Sequence, residues 1–144
     1  MGRAVVAGVG MTRFGKHMDT GLKALGREAL LPALTDAGID KDAIEAAFVG
    51  NAMAGLVTGQ ECIRGQVVLR SAGIGAIPVV NVENACASGT TAFRGAYMQV
   101  ASGLADVALA VDGPRRAGGA QPVEHVADAF GRSHAVDRQA IAGA

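Results

Sequence analysis

Four short apolar runs, separated by segments of helical periodicity, constrain this chain more than any other feature. The last of them, Val107 to Val111, is unbroken. Such a run marks a strand covered on both faces, because a half-exposed strand alternates polar with apolar side chains. Ala4 to Val9 and Ala46 to Val49 read as buried strands too, ended by Gly10 and Gly50. The remaining run is Pro78-Val79-Val80-Asn81-Val82, with proline at its first position, where strands tolerate it. The intervening segments repeat every three to four residues. Leu22, Leu25, Ala29 and Ala33 form one stripe, widened by Leu30 and Leu34. Thr20 is placed to cap that helix, Pro32 to kink or divide it, and Gly38 to end it. Gly50 to Gly59 reads as a loop. Gln60 to Ala72 then reads as a helix with Ile63, Val67 and Val68 on its apolar side. The strongest period runs through Ala92, Phe93, Ala96, Tyr97, Val100, Ala101 and Leu104. Strand and helix thus alternate from Ala4 to Val111. That order predicts an α/β fold in three α/β/α layers, a mostly parallel sheet with helices on its faces.

The pattern stops at Asp112. Asp112 to Gly119 has the composition of a linker, and beyond it Val126, Phe130 and Ile141 suggest one weak helix. The expected division is a domain over residues 1–112 and a linker with a weak helical tail over 113–144. Of the 144 residues, 50% are hydrophobic and 18% charged, which excludes a disordered, self-repelling chain. Thirteen basic residues balance thirteen acidic ones, so no net field draws the chain to nucleic acid or anionic membranes. Nothing approaches the roughly 18–20 consecutive apolar residues of a membrane helix. The N-terminal apolar run is too short for a secretory signal. Cys62 and Cys86 lie far apart and lack CxxC spacing, which argues against a disulfide framework and against zinc. The expectation is a soluble cytoplasmic protein with no metal, no nucleic acid and no membrane as partner.

Two glycine motifs fail on inspection. Gly8-Val9-Gly10 follows a strand, but Arg13 stands where a dinucleotide fingerprint needs its third glycine. Gly50 to Gly55 has phosphate-loop spacing, but Leu56 and Val57 stand in place of the Lys and the Ser or Thr. His17, His125 and His134 are scattered and read as ordinary surface or structural histidines. Cys62 reads as a structural residue in the middle of a helix. The segment Asn81-Val82-Glu83-Asn84-Ala85-Cys86-Ala87-Ser88-Gly89-Thr90-Thr91 is different. A strand runs into a small-residue turn and then into the strongest helix, with Cys86 at or just before its start. Unpaired N–H groups and the positive end of the helix dipole stabilise a thiolate there, and the thiolate is the nucleophilic form. The same N–H groups can hold the oxygen of an acylated intermediate. Ala85, Ala87 and Gly89 leave room for a substrate carbonyl. The alternative is a small buried cysteine at a tight junction.

Asn84-Ala85-Cys86-Ala87-Ser88-Gly89 resembles the active-site segment of the thiolases, closest to the sterol-carrier-protein type and the related bacterial and archaeal acetyl-CoA acetyltransferases. Val6 to Gly15 resembles that family's opening strand and turn, and Asp36-Ala37-Gly38-Ile39 the end of its first helix. Gly59-Gln60, Arg64, Leu69, Ala72-Gly73 and Asp106 to Val111 continue the match in order. The resemblance implies a thiolase-like half carrying Cys86 as the nucleophile that takes an acyl group from an acyl-CoA. The Cys86 backbone N–H would serve in the oxyanion hole. Claisen condensation, or thiolytic cleavage in reverse, would follow, with the coenzyme A thioester as substrate and no further cofactor. It also implies a dimer, with Val79 to Glu83 near a partner. A thiolase has two similar halves, and its base and second cysteine lie in the half that this chain does not match. The implied partners are therefore a second copy or a chain supplying the C-terminal half. The alternatives are a non-catalytic interaction subunit and a truncated fragment.

Overall fold

The computed structural model describes residues 3–13, 15, 17, 19–113 and 126–132. The elements follow the alternation read from the sequence. They are β1 (Ala4–Met11), α1 (Leu22–Ala37), β2 (Ala46–Gly50), α2 (Ala54–Thr58), α3 (Arg64–Ser71), β3 (Val79–Val82), α4 (Ser88–Ala101), β4 (Val107–Asp112) and β5 (Val126–Arg132). The five strands form one sheet in the order β1-β5-β4-β2-β3. β2 pairs parallel with both β3 and β4, and β5 lies antiparallel between β4 and β1. Four strands therefore run one way and β5 the other, a mostly parallel sheet with helices on both faces.

Strand β4 is buried along Val107 to Val111, as its unbroken apolar run requires. Its side chains feed two cores. Val107, Leu109 and Val111 join Ala47, Val49 and Ala129 beneath Leu30, Ala33 and Leu34 of α1 and Val68 and Leu69 of α3. Ala108 and Ala110 meet Ala46 and, on the opposite face, Ala96 and Val100 of α4. Each fully buried leucine or valine contributes about 1.5–3 kcal/mol relative to exposure.

Several local expectations give way to tertiary context. The weak helix expected in the tail over 113–144 is instead strand β5 at Val126–Arg132. Val126 and Phe130 lie four apart, a spacing that satisfies both the helical and the strand period. Pairing with β1 and β4 decides for the strand and places 126–132 inside the sheet. The expected linker from Gly113 and the remainder of the tail, with His125, His134 and Ile141, lie outside the described residues apart from Gly113 itself. β1 is not a buried strand. It forms one edge of the sheet, and Val6, Val9 and Met11 stand exposed. The loop expected from Gly50 to Gly59 holds the short helix α2, headed by Asn51, whose Oδ1 accepts from the Met53 and Ala54 N–H at 3.1 and 2.7 Å. The helix expected from Gln60 begins only at Arg64, because Ile63 takes a left-handed φ of 47° that breaks the helical path. Cys62 thus sits in the turn before α3, exposed, not in the middle of a helix. α1 is preceded by Gly21 without a side-chain cap, so Thr20 does not fill that role. Pro32 does not divide α1. It lies on the exposed side, where water can serve the carbonyl whose helical donor proline removes.

The distance between β1 and α1 depends on two glycines. A Cβ at Gly10 would strike the Ala29 carbonyl and lie 2.6 Å from the Ala33 nitrogen. At Gly8 it would lie 2.5 Å from the Ala33 carbonyl oxygen. Helix and strand meet backbone to backbone here. Gly10→Ala is expected to lower unfolding free energy by roughly 1–3 kcal/mol, the usual cost of overpacking. Gly15→Ala, where a Cβ meets nothing within 4 Å, should change it by less than about 0.5 kcal/mol. Denaturant titration of the two variants checks the contrast.

Candidate active site

Strands β2, β3 and β4 end side by side: Gly50 pairs with Val82 on one side and Asp112 on the other. This is the carboxyl end of the parallel strands, where open α/β sheets place their ligands. Beyond Val82 the chain passes through Glu83 and Asn84 into a single 3-10 turn, Ala85–Ala87, and enters α4 at Ser88. Cys86 occupies the middle of that turn, an exposed thiol in no disulfide, immediately before the helix. The position read from the sequence, at or just before the helix start, is the position found. Ala85 has a φ of 43°, in the left-handed region that non-glycine residues seldom enter. The cost of that conformation is offset by the hydrogen bonds that close the turn.

Those bonds come from two hydroxyls in the first turn of α4. Ser88 is buried; its Oγ accepts from the Asn84 N–H at 2.9 Å and donates to the Ala85 carbonyl at 2.8 Å. Thr91 Oγ1 donates to the Ala87 carbonyl at 2.8 Å and accepts from Asn84 Nδ2 at 3.0 Å. The Ala87 N–H donates to the Asn84 carbonyl at 2.8 Å. Residues on either side of Cys86 are thus tied to the helix, and Cys86 stands at the apex. None of the roles of Asn84, Ser88 and Thr91 was assigned from sequence. The available signal was hydroxyl side chains three residues apart at a helix head, where such groups compete for backbone bonds.

Glycines seat the helix on the sheet. A Cβ at Gly50 would lie 2.6 Å from the carbonyl carbon and oxygen of Ser88. A Cβ at Gly89 would lie 2.5 Å from the Asp112 carboxylate carbon and Oδ2. The sequence assigned the smallness of Gly89 to substrate access. The structure shows that Asp112 fills that space, while Ala85 and Ala87 line the open side.

A cleft of about 120 Å³ lies below the turn, lined in part by Val82, Glu83, Asn81 and Arg64. Arg64 links its walls. Nη1 donates to the Asn51 carbonyl at 2.5 Å, Nε to the Glu61 carbonyl at 3.1 Å, and Nη2 lies 3.7 Å from the Glu83 carboxylate. Ligand pockets are usually about 300–1,000 Å³, so this cleft alone is too small to enclose a coenzyme. His17 lies before α1, with Nε2 2.7 Å from the Arg13 carbonyl, and Cys62 lies before α3. Among the described residues no three His, Cys, Asp or Glu side chains converge as metal ligands, and no helix is long and apolar enough to cross a membrane.

Fold and turn together define an α/β domain that presents a cysteine at the head of a helix, at the carboxyl end of a parallel sheet. Residues 4–115 match the thiolase N-terminal domain, and the chain belongs to the thiolase family. Benzoylsuccinyl-CoA thiolase subunit BbsB of Thauera aromatica is 42% identical over 111 residues, 76% of this chain and 27% of that protein. An acetyl-CoA acetyltransferase of Methanocaldococcus jannaschii is 40% identical over 124 residues, 86% of this chain and 30% of that protein. A crystal structure of Xanthomonas campestris OleA superposes with a TM-score of 0.74 over 93% of this chain and 57% of that one, at 14% identity, which shows the shared fold alone. The chain spans less than a third of the length of these two curated relatives.

Replacing Ser88 tests the turn. Ser88→Ala leaves the Asn84 N–H and the Ala85 carbonyl without their shared partner. A loss of about 1–3 kcal/mol is expected in denaturant unfolding, the usual cost of partly buried polar groups left unpaired. Ser88→Thr, which keeps the hydroxyl, should recover part of it.

Proposed function

We propose that this chain carries the acyl-accepting step of a thiolase-type acyl-CoA C-acyltransferase, with Cys86 as nucleophile. The Cys86 thiolate adds to the thioester carbonyl of an acyl-CoA. The developing oxyanion lies against N–H groups at the head of α4, that of Cys86 among them, where the helix dipole favours negative charge. Collapse expels the coenzyme A thiolate and leaves an acyl thioester on Cys86. Covalent capture divides one difficult carbon–carbon step into two thioester steps. In the synthetic direction the α-carbanion of a second acyl-CoA then attacks that thioester, forming the carbon–carbon bond and releasing the Cys86 thiolate. In the degradative direction the same steps run in reverse.

The observation that carries this reading is the exposed Cys86 at the apex of a hydrogen-bonded turn, within the segment that matches the thiolase N-terminal domain. The carbon–carbon step also needs a base to activate the thiol and an acid–base group for the α-proton. We assign both to the half of a thiolase that this chain does not match, whether it belongs to the same polypeptide or to a partner. The relative from Thauera aromatica is itself named as a subunit, which supports a working unit of more than one chain. Two thiols in no disulfide favour the cytoplasm as its setting. Ser88 and Thr91 close the turn by themselves, which favours a second reading, a non-catalytic subunit in which the turn survives as architecture.

Intact mass after incubation with acetyl-CoA separates the two readings. One acetyl adduct is expected, lost in Cys86→Ala and kept in Cys62→Ala. Absence of any adduct leaves the non-catalytic reading. Both thiols are exposed, so access does not distinguish them. At neutral pH iodoacetamide should therefore alkylate Cys86 faster than Cys62, because only Cys86 sits at the head of a long helix. Equal rates would remove the electrostatic support for the nucleophile.

A further inference from the structure

The hydrogen bonds around the Cys86 turn fix which way one side chain faces. Thr91 Oγ1 carries a single proton and donates it to the Ala87 carbonyl at 2.8 Å. Toward Asn84 that hydroxyl therefore acts only as an acceptor, and the carboxamide must present its Nδ2, at 3.0 Å. The network itself thus decides the orientation of the amide, whose two ends are otherwise near twins. Oδ1 is left on the other side of the group. Among the described residues nothing donates a hydrogen bond to it.

The rest of Asn84 is held. Its N–H donates to Ser88 Oγ at 2.9 Å, and its carbonyl accepts from the Ala87 N–H at 2.8 Å. With Nδ2 on Thr91, only Oδ1 remains, an exposed acceptor two residues before Cys86. The other polar side chains of the segment are engaged. Ser88 and Thr91 each give their proton and receive one within the turn. The Glu83 carboxylate faces Arg64 Nη2 at 3.7 Å. Asn84 Oδ1 is thus a neutral acceptor beside the nucleophile, on a side chain already ordered. A group fixed in advance binds without the entropic cost of ordering a mobile side chain.

We propose that Asn84 Oδ1 binds the first amide N–H of the thiol arm of an acyl-CoA, and so selects coenzyme A thioesters over thioesters that lack this N–H. The proposal rests on acyl transfer to Cys86. The thioester carbonyl and the phosphates of an acyl-CoA only accept hydrogen bonds, so none of them can pair with Oδ1. The donor nearest the thioester sulfur is the cysteamine amide N–H, two carbons away. A thioester whose carbonyl meets the Cys86 thiol holds that N–H within a few bond lengths of the turn, which is the reach of Asn84. An ester oxygen at the same place carries lone pairs and no proton. It would cover Oδ1 without satisfying it, and a site built to hydrogen-bond a substrate group rejects the analogue that lacks the group.

Two small thioesters test the proposal on the full chain carrying Cys62→Ala, with intact mass as the readout. S-acetyl-N-acetylcysteamine has the N–H, and 2-(acetylthio)ethyl acetate has oxygen in its place. In each case the acetyl group passes to Cys86 Sγ and the small thiolate leaves. Each rate is divided by that of the same thioester with free glutathione, which removes intrinsic reactivity. The chain with Asn84 intact is expected to favour the amide by roughly three- to tenfold, the worth of one neutral hydrogen bond. Asn84→Ala should abolish that preference, and Thr91→Val, which removes the group that orients the carboxamide, should lower it. Circular dichroism confirms the fold of each, and if Asn84→Ala does not fold, Thr91→Val decides. Damage to the turn alone slows both thioesters together and leaves their ratio unmoved. Equal normalised rates with Asn84 intact overturn its role and leave acyl transfer at Cys86 standing, as does a preference unchanged in the deciding variant. Labelling by acetyl-CoA but by neither small thioester overturns it as well, placing recognition elsewhere in the coenzyme. No labelling by any of the three overturns acyl transfer and this role together.

Discussion

Backbone-to-backbone contact at glycine sets the geometry of this protein. A side chain at Gly8 or Gly10 would force α1 off β1, and one at Gly50 would force the head of α4 off the end of β2. Ordinary helix–sheet packing interposes side chains and leaves some freedom in how far a helix lies from its strand. Direct contact removes that freedom, because neither backbone can yield without losing its own hydrogen bonds. The layers are registered at these few points, and the aliphatic cores fill what remains.

The consequence reaches Cys86. Gly50 and Gly89 bring the first turn of α4 down onto the carboxyl ends of β2 and β4, with Asp112 packed beside Gly89. The 3-10 turn then has only a short span between β3 and a helix whose head cannot move. Ser88 and Thr91 close that span with hydrogen bonds on both sides of the cysteine. The left-handed Ala85 is held by this closure rather than by its own preference. Cys86 is thereby held at an exposed position. A group presented in this way has its position set by the scaffold and depends on whatever covers it for the rest of its chemistry.

Most of the fold was legible because it is written in local periodicity. Val107 to Val111, the stripe of α1 with its Gly38 stop and, in α4, Ala92, Ala96 and Val100 reflect burial that the structure bears out, whereas Phe93, Tyr97 and Leu104 of the same periodic pattern are exposed. The family was legible in Asn84 to Gly89, a run of small residues around one cysteine. What stayed hidden depends on contacts between distant residues. Val126 and Phe130 suit either period, and only pairing with β1 and β4 makes a strand of them. Ile63 suits a helix by composition, and only the path from α2 to α3 turns it left-handed. Gly89 looks like space for a substrate until β4 brings Asp112 against it. By itself the sequence determined the alternation of strand and helix from Ala4 to Val111 and put Cys86 at the head of a helix, since both follow from neighbours within a few residues. The strand order and the glycine contacts that seat that helix were decided only in three dimensions, because each joins segments far apart in the chain.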